Sequence, residues 1–356
     1  MKNNQPVLVI LTPGFPKDES DTSCLPSQQI FIRSLNKIFP SLKIIILSFR
    51  YPFFTTAYYW HGNLVIPFNG TKKGIIAKML LWSWFWRTLY KLKKENNIAG
   101  LFSFWCGECA LIGKYFGKKN KLKHFSWLMG QDAKKGNKYI PLIRPKPDEL
   151  IAMSDFLSQE FYKNYGIHTL QIIPNGIDAS LFPALNAERD ITILGAGSLI
   201  PLKQYDVFIN IVKEIIEKMP GISVMLCGKG PQEIQLKQLI IQQKLQNNIV
   251  LTGEKPHLEI LRFMQRTKIF LHTSSYEGFS TVCLEALYAG CHVISFIKPM
   301  LRDIDHWHIV QTKEEMIKKA SYLLNDTTTQ YKRVLVYSMD DSAKSVMNLF
   351  SYDATE

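Results

Sequence analysis

Residues 274–290 decide the fold of the chain around them and read Ser274-Ser275-Tyr276-Glu277-Gly278-Phe279-Ser280-Thr281-Val282-Cys283-Leu284-Glu285-Ala286-Leu287-Tyr288-Ala289-Gly290. One apolar run, Lys268 to His272, precedes this stretch, and another, Cys291 to Phe296, follows it. The pattern predicts a strand, a polar loop, a helix and a second strand. This is the repeating unit of a parallel α/β sheet.

The polar loop is suited to an anion. Ser280 or Thr281 is the natural N-cap of the predicted helix, and Gly290 is the natural residue just past its end. A helix N-terminus placed beyond a parallel strand presents backbone N–H groups and a partial positive charge, which suits a phosphate.

Two acids accompany that helix start. Glu285 lies in a helix that is otherwise apolar on every side, so it should be buried, and a buried Glu needs a partner. A capping box does not explain it, because the box position is Cys283 if Ser280 caps and Leu284 if Thr281 caps. Glu277 precedes the helix in the loop. We therefore expect both acids to face a ligand.

Glu277 and Glu285, with seven residues between them, resemble the E-x7-E signature of retaining GT-B glycosyltransferases of family 4 (glycosyl transferases group 1). The resemblance implies that Glu285 binds the nucleotide ribose and that Glu277 contacts the donor sugar. It also implies that the loop between them holds the donor diphosphate through Gly278, Phe279, Ser280 and Thr281.

The order of strands and helices predicts two doubly wound α/β domains. Apolar runs predict strands in the first half at Val7 to Leu11, Lys43 to Phe49, Leu101 to Trp105, His124 to Met129, Glu149 to Met153 and Thr169 to Ile173. A second series of strands and helices starts after the turn-forming sequence Pro174 to Asp178 and includes predicted helices at Asp206 to Met219 and His257 to Gln265. The expected fold is GT-B, with two Rossmann-like domains facing each other across a cleft. We expect residues 1–178 to form the acceptor domain, completed by a C-terminal helix at 331–356, and residues 179–330 to form the nucleotide-sugar donor domain.

Other loops resemble elements of the same family. Gly197, Ser198 and Lys203 follow the first strand of the second half and resemble the family's G-R-x…K element, with Ser198 in place of the Arg. The resemblance implies that Lys203 neutralises the donor diphosphate. Gly228 and Gly230 resemble a G-x-G-P turn near the nucleotide base.

The first half contributes two further candidate loops. Gly14 follows the first strand, where it is either a turn residue between prolines or a point of close ligand approach. Gly130 and Asp132 resemble the family's H-G-x-D loop, although Met129 stands where a His is common. We assign Asp132, Glu277 and Lys203 as candidate catalytic residues and Gly130 and Asp132 to the acceptor side. For Gly14, the resemblance implies a place in the donor site.

The charge of the chain is strongly positive and unevenly spread. The formal net charge is +13, and between Thr71 and Lys146 seventeen Lys or Arg face three acids. The segment Lys72 to Lys94 mixes lysines with aromatic residues, and it predicts either a helix lying in a membrane interface or a core-facing helix with a basic outer side. An anionic membrane or an acidic lipid-linked acceptor explains the charge better than nucleic acid, since no recognisable nucleic-acid module accompanies it.

Compartment and cofactor expectations follow from what the sequence lacks. No signal-peptide pattern starts the chain, so we expect a cytoplasmic protein at the inner face of the plasma membrane. Cys106 and Cys109 form an isolated C-x-x-C, which is either a metal or redox pair or, more commonly, two ordinary core residues. No metal and no cofactor are expected, because Lys203 and the helix N-terminus are placed to meet the diphosphate and no D-x-D motif with a flanking apolar strand occurs.

The sequence thus predicts a retaining glycosyltransferase that moves a sugar from a nucleoside diphosphate sugar to a hydroxyl of a glycan or lipid-linked glycan in cell-surface polysaccharide biosynthesis. UDP-sugars are favoured over GDP-sugars as donors. Three alternatives stay open. They are a nucleotide-sugar epimerase on the same fold, a non-catalytic sugar-nucleotide or glycan-binding subunit, and a membrane-surface adaptor.

Overall fold

A computed structural model of the chain describes residues 3–71, 74–184 and 188–352. The chain divides into two compact units, the first formed by Met1–Asn175 with Met339–Glu356 and the second by Gly176–Ser338. Lys72 and Lys73 of the predicted basic helix, and residues 353–356 of the predicted C-terminal segment, lie outside the described residues.

The first unit contains an eight-stranded sheet in the order β3-β4-β2-β1-β5-β6-β7-β8, parallel except for the edge strand β3. Its strands are β1 (Asn3–Gly14), β2 (Lys43–Tyr51), β3 (Tyr58–Trp60), β4 (Asn63–Pro67), β5 (Asn96–Phe104), β6 (His124–Trp127), β7 (Leu150–Ala152) and β8 (Gln171–Ile172). Its helices are α1 (Pro26–Ile38), α2 (Ile75–Glu95), α3 (Glu108–Asn120), α4 (Ile140–Ile143), α5 (Asp155–Tyr165) and α11 (Met339–Leu349).

The central strands of this sheet are continuous apolar runs because helices cover both of its faces. Val9 and Leu101 are fully buried and pack with Phe85 of α2 and Phe116 of α3 in one core. The strand order reverses direction between β1 and β5, and ligands of such sheets bind beyond the carboxyl ends of the strands at that point.

The second unit is a six-stranded parallel sheet in the order β11-β10-β9-β12-β13-β14, the order of a doubly wound nucleotide-binding fold. Its strands are β9 (Ile191–Ala196), β10 (Val224–Cys227), β11 (Ile249–Gly253), β12 (Thr267–His272), β13 (His292–Ser295) and β14 (Trp307–Ile309). Its helices are α6 (Tyr205–Lys218), α7 (Glu233–Gln242), α8 (His257–Gln265), α9 (Thr281–Tyr288) and α10 (Lys313–Asn325). Here the strand order reverses between β9 and β12.

The end of the chain differs from the sequence-based prediction. The sequence predicts a C-terminal helix at residues 331–356, but α11 begins only at Met339 and residues 331–337 form no helix. Tertiary contacts hold those residues instead, since the Val334 N–H donates to the Leu287 carbonyl and the Arg333 guanidinium lies over the Tyr288 ring. The acids of the first turn of α11, Asp340 and Asp341, suit its N-terminus.

Candidate active site

A cavity of about 440 Å³ lies where β9 and β12 end, at the reversal point of the second sheet. We call it the β9–β12 cavity. The structure brings most of the predicted donor residues into its lining: Gly197, Ser198, Lys203, Gly228, Glu277, Phe279, Ser280, Thr281 and Glu285. Gly278 lies in the same loop, between Glu277 and Phe279.

Two glycines let the loops after β9 and β10 touch. Gly197 and Gly228 both have φ of 151°, which side-chain-bearing residues rarely adopt. A Cβ added at Gly228 would lie 1.9 Å from the Gly197 carbonyl oxygen. Gly230 has a different part, because it packs against the backbone of Leu199, where an added Cβ would lie 2.4 Å from the carbonyl oxygen. Gly230 therefore shapes the loop and is not part of the cavity lining.

Lys203 and Glu277 form an ion pair in this cavity. Lys203 Nζ lies 2.5 Å from Glu277 Oε2, and both side chains are partly exposed to solvent. The loops that carry them are tied together, since Thr273 Oγ1 donates to the Lys203 carbonyl at 2.9 Å. The pair therefore presents a cation and a carboxylate side by side to a ligand.

The electrostatics of Glu277 keep its carboxylate ionised. Burial alone would raise the pKa of Glu277, but contact with His272 and the charge of Lys203 outweigh burial and lower the pKa to about 2. His272 ends β12, and its Nε2 lies 3.6 Å from Glu277 Oε2. Burial lowers the pKa of His272. His272 is not among the residues predicted for the site, although a polar residue at the end of an apolar strand is a usable signal.

Glu285 is buried on α9 and has the partner that its position required. His257 Nε2 donates to Glu285 Oε1 at 2.7 Å, and only 7% of Glu285 is exposed. Burial acts to lower the pKa of His257, but the hydrogen bond and charge of Glu285 outweigh it, and the pKa is raised. His257 also lines the cavity. Sequence analysis placed it at a helix start without assigning it a role.

The ends of α9 are as predicted. Ser280 is the N-cap, although its side chain makes no capping hydrogen bond and its Oγ instead lies 3.3 Å from His272 Nε2. Gly290 has φ of 89°, and the Cys291 N–H donates to the Ala286 carbonyl, which is a Schellman ending. The N-terminal turn of α9 therefore borders the cavity with its positive end.

The first unit has its own cavity, of about 620 Å³, where β1 and β5 end. We call it the β1–β5 cavity. Asp132 lines it, is 5% exposed, and accepts a hydrogen bond from the Met129 N–H at 2.8 Å. Burial raises the pKa of Asp132 to about 7. Gly130 begins the short 3₁₀ turn that carries Asp132.

The surroundings of Gly14 do not require a glycine at this position. It ends β1, but the adjacent Pro13 lines the β1–β5 cavity instead. An added Cβ at Gly14 would meet Tyr51 Cβ at 3.5 Å, which is ordinary contact. Its predicted place in the donor site stays a prediction.

The C-x-x-C pair consists of core residues. Cys106 and Cys109 are both buried free thiols, and burial raises the pKa of each. Across residues 3–71, 74–184 and 188–352, no group of three or more His, Cys, Asp or Glu is placed to hold a metal ion.

The basic aromatic helix α2 divides into two parts. Its C-terminal half packs into the core through Phe85, Leu89 and Leu92. Its first turns leave large apolar side chains exposed, 77% for Ile75 and 66% for Leu80. Among the described residues, no helix has the length and apolar composition that crossing a bilayer requires.

Comparison with known proteins agrees with this geometry. Over 98% of this chain and 96% of the other, the fold matches Anabaena Alr3699/HepE in complex with UDP-glucose, with a TM-score of 0.65 at 14% identity. Over 98% of this chain and 97% of the other, it matches sucrose-phosphate synthase from Thermosynechococcus elongatus, with a TM-score of 0.67 at 14% identity. The two α/β units and these neighbours define a GT-B fold, as the sequence predicted.

A family model matches most of the second unit. Residues 177–333 match the family model described as Glycosyl transferases group 1. This stretch, which is less than half of the chain, is therefore similar to the group 1 glycosyltransferases. A curated relative, the phosphatidylinositol N-acetylglucosaminyltransferase gpi3 subunit of Schizosaccharomyces pombe, is 27% identical over 203 residues. That alignment covers 55% of this chain and 44% of the relative, so the chain spans less than half of the relative's length.

Proposed function

We propose that the protein transfers a sugar, with retention of anomeric configuration, from a nucleoside diphosphate sugar to a hydroxyl of a glycan or lipid-linked glycan. The observation that carries the proposal is the convergence of two polar pairs, Lys203 with Glu277 and His257 with Glu285, in one cavity at the sheet reversal point. UDP is the favoured nucleotide, since structural neighbours were solved with UDP or UDP-glucose.

Each group has a distinct task in this proposal. Glu285 accepts hydrogen bonds from the ribose hydroxyls, and His257 holds its carboxylate in place. Lys203 and the N-terminal turn of α9 stabilise the negative charge that grows on the diphosphate as the glycosidic bond breaks. The ionised Glu277 orients the donor sugar through its hydroxyls. No covalent nucleophile is assigned, and no step requires a metal, because Lys203 supplies the cation.

We also propose that the protein works at an anionic membrane surface, in cell-surface polysaccharide biosynthesis. The exposed apolar start of α2 and the positive charge of the surrounding segment support this. Asp132 is proposed to face the acceptor, because it lines the β1–β5 cavity and can exchange a proton near neutral pH.

The test is turnover with a panel of UDP- and GDP-sugars and glycan or lipid-linked acceptors, with the anomeric configuration of the product read by NMR. An α-linked donor should give an α-linked product. Inverted product would overturn retention. An epimerised donor sugar without acceptor would show the epimerase, and donor binding without turnover would show a non-catalytic subunit.

A further inference from the structure

We propose that the first unit binds an amphiphilic acceptor that carries a phosphate between a hydroxyl-bearing head and an apolar chain. This inference rests on the proposed function and names its acceptor class. The head lies in the β1–β5 cavity, the phosphate lies at Arg50 and Lys78, and the chain follows the exposed start of α2.

Three adjoining cavities of the first unit carry the argument. The β1–β5 cavity shares Arg50 and Glu108 with a second cavity of about 470 Å³, which Lys78 also lines and which we call the basic cavity. The basic cavity shares Gly70 and Leu81 with a third, of about 430 Å³, which we call the apolar cavity. The three cavities therefore adjoin one another in sequence, as one extended ligand requires.

The basic cavity carries excess positive charge. Glu108, 9% exposed, lies 2.7 Å from Lys78 Nζ and 3.0 Å from Arg50 Nη2. Burial acts to raise the pKa of Glu108, but the two cations outweigh it and lower the pKa, so the cluster keeps one carboxylate against two cations. The Arg50 side chain is 58% exposed and keeps further N–H donors for an anion.

The cluster of Arg50, Lys78 and Glu108 suits a phosphate better than an uncharged sugar. Arginine donates in a planar fork that matches phosphate oxygens, and such charge-assisted hydrogen bonds are the strong ones. Lys134 and Lys135 line the adjoining β1–β5 cavity and add positive charge on its polar side. The polar lining there, with Gln131 and Asn137, suits a hydroxyl-bearing head.

The apolar cavity supplies the third part of the ligand site. Phe68, Leu80 and Trp84 line it, and Leu80 and Trp84 are 66% and 41% exposed. Exposed large apolar side chains gathered beside a cavity mark a binding surface. A purely polar glycan would leave them in water, whereas an alkyl chain would cover them.

The test measures binding of monomeric decyl phosphate, kept below its micelle-forming concentration, by calorimetry on the whole protein. Hexyl phosphate, decyl glucoside and inorganic phosphate are the comparison probes. We expect one decyl phosphate per chain and weaker binding of all three comparison probes. Each methylene buried in the apolar cavity should raise affinity by up to about four-fold.

Two variants and two matched controls locate the binding. Arg50→Gln should weaken decyl phosphate binding about ten-fold and leave decyl glucoside unchanged. Leu80→Ser should reduce the increase in affinity from hexyl phosphate to decyl phosphate. Two control variants should change neither the affinity for decyl phosphate nor its difference from the affinity for hexyl phosphate. They are Arg33→Gln, on the exposed side of α1, and Leu170→Ser, at a 64% exposed position outside the three cavities.

Several results would overturn the inference. These are equal affinity for decyl phosphate and decyl glucoside, equal affinity for inorganic phosphate, or equal effects in variants and controls. Association with anionic vesicles but not with monomeric decyl phosphate would show a membrane contact instead. UDP binding in the same sample separates the two proposals, because intact UDP binding without decyl phosphate binding removes only the acceptor assignment.

Discussion

His257 Nε2 lies 2.7 Å from Glu285 Oε1, so the first residue of α8 fixes the buried acid of α9. The two residues are 28 positions apart, and α8 and α9 bring them together in the lining of the β9–β12 cavity. A carboxylate held in this way keeps one oxygen for the hydrogen bond to His257 and leaves the other for a ligand. The arrangement makes Glu285 a preorganised acceptor of hydroxyl groups.

Replacing His257 should weaken UDP binding. It should also remove the part of the pH dependence of the unfolding free energy that comes from the His257–Glu285 pair. The pKa of His257 is raised above its usual 6.5 by Glu285, so the stabilisation from the pair is complete below that value and lost as pH rises through the folded-state pKa. The stability difference between wild type and His257→Gln should therefore shrink as pH rises above about 6.5. Chemical denaturation at a series of pH values measures it.

A pH-independent difference would contradict this account of His257. His306→Gln is a useful control, since burial lowers the pKa of His306. The stability of wild type relative to this variant should therefore increase, not decrease, as pH rises.

Removing the cation of the Lys203–Glu277 pair should damage catalysis more than binding of the free nucleotide. Lys203→Met removes the charge that we propose acts on the donor diphosphate, and we expect kcat/KM to fall by about 10²-fold or more. Steady-state kinetics with the preferred UDP-sugar measures this fall. Lys298→Met, which removes a surface cation paired with Asp303, is the control and should have little effect.

Lys203→Met should also change how the stability of the protein depends on pH in acid. The pKa of Glu277 is lowered to about 2, so its contribution to stability is present above about 4.5 and is lost as pH falls towards 2. Lys203→Met should be less stable than wild type at neutral pH, and the gap should narrow in acid. A constant gap would mean that the pair contributes nothing to folding.

Adding a cation at Ser198 should strengthen donor binding. Ser198 is exposed and lines the cavity, and its loop resembles a family element that has an Arg at this position. Ser198→Arg should tighten UDP binding by about three- to ten-fold, as one charge-assisted hydrogen bond would. Ser198→Gln has a long neutral side chain and separates charge from size; equal tightening by both variants would rule out the electrostatic explanation.

A side chain at Gly228 should destabilise the second unit. The added Cβ would clash with the Gly197 carbonyl and would also require a φ of 151°. We expect Gly228→Ala to cost about 2–4 kcal/mol, visible as a lower melting temperature. Gly221→Ala is the matched control, because nothing lies within 4 Å of its added Cβ, and it should melt close to wild type.

The sequence predicted the parts of the site that lie within one loop or one helix. The helix start at Ser280, its end at Gly290 and the burial of Glu285 all follow from local patterns of polar and apolar residues. His257 was missed as a site residue because its contact with Glu285 depends on how α8 packs on α9, which is not a local property of the sequence. His272 was missed although it ends β12 only five residues before Glu277.

Other differences have equally physical causes. The edge hairpin of β3 and β4 was missed because its strands are short, although the His61-Gly62 turn, with both φ positive, is a typical two-residue hairpin turn. The prediction placed the start of α11 too early, because residues 331–337 have helical spacing. In the structure, contacts with Leu287 and Tyr288 hold these residues outside the helix. Tertiary contacts overrode local preference there.

The most direct test of the central claim is thermal unfolding of wild type and Glu285→Ala with UDP, GDP and their sugars. A ligand that binds only the folded state adds stability of RT ln(1 + [L]/Kd), so even a modest donor raises the melting temperature. We predict a rise with UDP or a UDP-sugar in wild type that is lost in Glu285→Ala. No rise with any nucleotide, or an equal rise in both proteins, would contradict the assignment of this cavity to a nucleotide-sugar donor.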